Sequence, residues 1–62
     1  MNEDLILLKR LESLRVQHKQ LDDRIDHERL DDFTRQRLKR ERVAIRTEIH
    51  EIEQIVYPDI IA

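Results

Sequence analysis

Residues 7–25, LLKRLESLRVQHKQLDDRI, decide the fold. Leu7, Leu11, Leu14, His18, Leu21 and Ile25 follow one another at alternating steps of four and three. A mean spacing of 3.5 keeps one stripe of a helix turned toward a partner helix, which is the pattern of a coiled-coil seam. Glu12, Arg15, Lys19, Asp22 and Asp23 flank the stripe, and one seam slot holds a histidine instead of an aliphatic residue. Asn2 is placed to cap the helix start, with Glu3 and Asp4 where the helix dipole favours anions.

Working outward, residues 38–56, LKRERVAIRTEIHEIEQIV, repeat the pattern. Leu38, Arg42, Ile45, Ile49, Ile52 and Val56 again step by fours and threes, with Arg42 in the polar slot. Pro58 stops this run, because its ring disfavours helical backbone at Tyr57. Phase decides between one rod and two helices. Ile25 and Leu38 are 13 residues apart, which at about 100° per residue leaves the two stripes roughly 140° out of phase. One straight helix could not bury both stripes. The reading is therefore an all-α, antiparallel two-helix coiled-coil hairpin: helix 3–29, turn 30–31, helix 32–57 and an apolar tail 58–62. Asp31 or Asp32 is the expected cap of the second helix, so the turn needs no glycine.

Charge supports the turn. Residues 22–32 carry a net −4 and residues 35–46 a net +5, so folding lays an acidic block on a basic one. The same register stacks Leu7 on Val56, Leu11 on Ile52, Leu14 on Ile49 and Ile25 on Leu38, and predicts Glu28–Arg35, Asp26–Arg37 and Asp23–Arg40 pairs. Exposed pairs of this kind contribute only about 0.2–1 kcal/mol each, so they would select the register more than stabilise it.

The residues Leu14, His18, Leu21, Asp22 and Ile25, followed by Leu38-Lys39-Arg40-Glu41-Arg42-Val43-Ala44-Ile45-Arg46-Thr47-Glu48-Ile49, resemble the YdcH-like family of small bacterial proteins of unknown function. That family's first helix reads Leu-x-x-x-His-x-x-Leu-Asp-x-x-Ile and its second Leu-Lys-Lys-Glu-Lys-Leu-x-Leu-Lys-Asp-Glu-Ile. Val43, Ile45 and Thr47 depart from it, and only Thr47 loses a charge. The resemblance spans about residues 8–53; it implies a coiled-coil hairpin and no established activity, and it supplies no catalytic residues to carry over.

Composition narrows function by exclusion. The chain has 62 residues, 42% of them charged and 3% aromatic, with no glycine and no cysteine. Glycine-rich phosphate loops, nucleophile elbows and disulfides are therefore ruled out. The only hydroxyls are Ser13, Thr34, Thr47 and Tyr57, and no pattern supplies a nucleophile with its base and oxyanion donor; an enzyme is not expected. No cofactor or metal is expected either, since His18, His27 and His50 are not spaced as paired ligands; Asp23 and His27 share a helix face, as surface residues often do. The longest apolar run is four residues, and the N-terminal segment is acidic where a signal peptide is basic. A cytoplasmic location without a membrane span is the expectation.

Two binding surfaces remain. Arg35, Arg37, Arg40 and Arg46 form the candidate RNA contact, although no aromatic side chain interleaves with them as a stacking platform and the net charge is −2. Leu5, Leu8, Val43, Ile55, Tyr57 and Ile60 lie outside the seams and form the candidate self-association or partner surface. A chain this short secures a core with difficulty, so a homodimer forming a four-helix bundle is expected, with protein binding as the leading function. His18 and Arg42 are the polar core slots, and His18 is a candidate register or pH determinant.

Overall fold

The computed structural model describes residues 3–58, which form two helices, α1 (Glu3–His27) and α2 (Asp32–Val56), packed against each other as a hairpin. Each has 25 residues, about 37 Å at 1.5 Å per residue, in keeping with a longest dimension of 42 Å. The capping role expected of Asn2 falls outside the described residues.

All six buried side chains among the described residues come from the two seams. Leu11, Leu14 and Ile52 form one cluster, with Leu7, Ile45, Ile49, Val56 and Tyr57 packed on it. Leu21, Ile25 and Leu38 form a second, closed by Leu30 and again by Ile45. Leu11 and Leu38, at 1% exposure, are the centres of the two clusters. Leu11 thus shares a cluster with Ile52, Leu14 with Ile49, Leu7 with Val56 and Ile25 with Leu38, as the seam register requires.

The turn is shorter in helix and longer in loop than the sequence suggests. α1 ends at His27, two residues before the expected boundary, although the Glu28 N–H still bonds the Arg24 carbonyl at 3.0 Å. Asp31, in extended backbone (φ −69°, ψ 162°), is the cap of α2, and its carboxylate accepts the Thr34 N–H at 3.3 Å. Leu30 tucks into the neighbouring cluster, and none of the described residues needs a positive φ. A glycine-free turn works because the cap supplies the acceptor and Leu30 supplies the plug. At the other end α2 stops at Val56. Tyr57 leaves helical geometry (φ −127°, ψ 59°) before Pro58, as the steric restriction on the residue before proline demands.

Candidate interaction surface

The polar seam slots lie in the middle of the hairpin. Leu14 belongs to one core cluster and Leu21 to the other, and His18 stands between them in sequence, half-buried. Its Nδ1 lies 3.4 Å from one oxygen of Asp22, one turn on. Arg42 of α2 donates from Nη1 to the other oxygen at 2.7 Å, also half-buried. One carboxylate therefore serves both polar slots, and the break between the apolar clusters is filled by a His18–Asp22–Arg42 chain bridging the helices. A charge-assisted bond in this setting is directional, so the group fixes the relative height of the helices as well as joining them.

Among the described residues Arg10–Glu48 and Arg15–Glu53, the latter at 2.8 Å, also pair across the helices. The expected Glu28–Arg35, Asp26–Arg37 and Asp23–Arg40 pairs do not form. Glu28 bonds Arg24 on its own helix at 3.2 Å, and Arg35 donates to the Ile25 carbonyl at 3.1 Å. The reason is geometric. Arg10 and Glu48 each precede a seam residue (Leu11, Ile49), and Arg15 and Glu53 each follow one (Leu14, Ile52). In an antiparallel pair, the positions preceding the seam on both helices share one side of the hairpin, and those following it share the other. Asp26 follows Ile25 whereas Arg37 precedes Leu38, which sets them on opposite sides. Asp23 and Arg40 come two residues after Leu21 and Leu38, a rotation of about 200° that turns both outward.

The four arginines of the candidate RNA surface stand in different settings. Arg35 is half-buried and engaged with the end of α1, so it is a structural residue of the turn. Arg37, Arg40 and Arg46 are exposed, and their side chains make no hydrogen bond or ion pair among the described residues.

Of the candidate apolar surface, Leu5, Val43 and Ile55 are exposed, Val43 at 58% and Ile55 at 61%, while Leu8 is half-buried. Tyr57 is drawn onto the Leu11–Leu14–Ile52 cluster and so completes the core more than it offers a surface. Ile60 lies outside the described residues. Ile6, Val16 and Phe33 join the exposed set, Phe33 at 78%. They were visible in sequence as apolar residues off the seam. Among the described residues no helix is long and apolar enough to cross a membrane, and no three potential metal ligands gather.

Compared with protein-family models, curated proteins and solved structures, the chain matches none.

Proposed function

We propose that this chain is a helical-hairpin protein-interaction module of the YdcH-like type, working in the cytoplasm through self-association and the binding of a protein partner, with no catalytic step of its own. The supporting observation is the exposed apolar set Leu5, Ile6, Val16, Phe33, Val43 and Ile55 on a hairpin that buries six side chains among the described residues. Leaving large aliphatic and aromatic side chains in water forgoes about 25 cal/mol per Å² of apolar surface, and a second hairpin covering those on one flank would complete a four-helix bundle. The test is affinity capture from the native cell with wild type and with Leu5, Val43 and Ile55 changed together to Ser. Capture of a partner that survives high salt and is lost in the triple variant supports the module; capture unchanged by the triple variant sinks it.

A second reading, RNA binding, rests on the exposed, unpaired guanidinium groups of Arg37, Arg40 and Arg46. Binding of this kind releases counterions and weakens steeply with salt. A mobility shift with total cellular RNA that disappears in Arg37→Glu/Arg40→Glu and at raised salt supports it; absence of any shift at low salt removes it.

A further inference from the structure

α2 carries a second ordered stripe beside its seam. Beginning at Phe33, steps of four and three visit Arg37, Arg40, Ala44, Glu48, Glu51 and Ile55. Phe33, Ala44 and Ile55 recur every 11 residues, a period of about 3.67 per turn that keeps them nearly in line on a straight helix. From Arg37 onward each member except Arg40 immediately precedes a seam residue, so the stripe runs along the flank of the hairpin that holds Arg10. All of it is exposed except Glu48, half-buried beneath its bond to Arg10. The side chains of Arg37, Arg40 and Glu51 make no hydrogen bond or ion pair among the described residues.

The order along the stripe is apolar, two cations, a small residue, two anions, apolar. That order is its own complement when reversed. Two copies of α2 laid antiparallel about a two-fold axis through Ala44 bring Phe33 to Ile55, Arg37 to Glu51 and Arg40 to Glu48, each twice, with alanine against alanine where the backbones approach most closely. Other registers fail. A parallel pairing sets Arg37 against Arg37 and Glu51 against Glu51, and an antiparallel shift by one 11-residue repeat sets Arg37 against Arg40 or Glu48 against Glu51. Ile6 precedes Leu7 and so belongs to the same flank at the same end as Ile55, giving Phe33 of the other copy two aliphatic side chains to pack on.

We propose that the occupant of this face is a second copy of the chain, docked α2 against α2 in antiparallel orientation about a two-fold axis at Ala44. The proposal rests on the self-association part of the functional reading and specifies its interface. An isologous contact of this kind places the same patch on both subunits and closes at a dimer. Its charge pattern acts chiefly on orientation and register, because wrong alignments juxtapose like charges.

Arg37 and Glu51 are the residues to vary, since neither has an intramolecular partner to lose. Each single variant turns two attractive contacts per dimer into two repulsive ones, a weakening of roughly ten- to thirty-fold in the dissociation constant. The full chain would be followed by sedimentation equilibrium, with circular dichroism confirming that each variant is helical. Support takes the form of a wild-type dimer, weakened in Arg37→Glu and in Glu51→Arg, restored in the double variant, and restored again when the two single variants are mixed. In an Ala44→Cys variant, mild oxidation should then give a symmetric disulfide-linked dimer. A wild-type dimer indifferent to both single changes overturns this interface and leaves self-association standing. A wild type monomeric at millimolar concentration overturns both, while the capture experiment with Leu5, Val43 and Ile55 still decides partner binding.

Discussion

The two ends of the hairpin are held by different means. At the turn end the chain is continuous, Asp31 caps α2, Arg35 bonds the Ile25 carbonyl, and Leu30 covers the Leu21–Ile25–Leu38 cluster. Every one of these contacts lies within 17 residues of sequence. At the open end nothing covalent joins the helices. Leu11, Leu14 and Ile52 supply the core, Arg10–Glu48 and Arg15–Glu53 bracket it, and Leu5, Ile6 and Ile55 remain exposed. The turn end is joined by contacts close in sequence and leaves Phe33 exposed, whereas the open end depends on contacts distant in sequence and leaves Leu5, Ile6 and Ile55 exposed. Local opening is therefore expected to begin at the termini, with amide exchange fastest there and slowest around Leu21, Ile25 and Leu38.

The largest expected effect separates core from surplus. Leu38→Ala removes a side chain with 1% exposure from the turn-end cluster and should cost about 2–5 kcal/mol, enough to unfold a hairpin of this size. Ile55→Ala, at 61% exposure, should change the stability of the dilute monomer very little, by about 0.5 kcal/mol or less. Thermal melts followed by circular dichroism compare them directly. Similar losses in both variants would mean that Ile55 is covered even in the dilute chain and that the two-cluster core is wrong.

How much of this was legible in sequence follows the same division. All six buried residues, Leu11, Leu14, Leu21, Ile25, Leu38 and Ile52, were readable as seam positions, because a period of 3.5 records directly which side chains face a neighbour. The glycine-free turn and its aspartate cap were readable too, since capping is local chemistry. The lateral ion pairs were not. Matching an acidic block to a basic block ignores which flank of the helix each side chain occupies, and so overlooked Glu48 and Glu53, while Asp26 and Arg37 were matched across opposite sides. Asp22 was readable as a partner of His18, but its second bond to Arg42 needed the relative height of the helices. Tyr57 was read as surface because it lies past the last seam position; the bend before Pro58 instead lets it pack on the Leu11–Leu14–Ile52 cluster.

A smaller effect tests the ion pairs at the open end. Removing Arg15 or Glu53 should cost about 0.2–1 kcal/mol, because both side chains keep substantial contact with water. The pair is screened by salt, so the gap between wild type and Arg15→Ala should narrow in 1 M NaCl. Arg15→Ala also shortens a side chain whose methylenes shield the core edge, and Glu53→Gln separates the two contributions because it removes the charge alone. If the Glu53→Gln deficit is the same size at low and high salt, the bond contributes by packing and the electrostatic account of the open end is wrong.

The smallest effect belongs to the turn. Hydrogen bonding from Thr34, its side chain first and its backbone N–H second, holds the Asp31 carboxyl below the ordinary value of 3.8. A carboxyl whose folded value is depressed contributes stability that is fully present above its unfolded value and is lost as pH falls through the folded one. The contribution should therefore be intact at pH 6 and decline below about pH 3.8. Asp31 is fully exposed, so the change is modest. Asp31→Asn isolates it, since asparagine caps a helix about as well as aspartate and does not titrate. Wild type should be at least as stable as Asp31→Asn at pH 6 and should lose ground to it between pH 4 and pH 2.5. If the melting difference between the two proteins is the same across that window, the cap works without its charge. The turn end would then be held by Leu30, Arg35 and chain connectivity, with Asp31 contributing only a neutral acceptor.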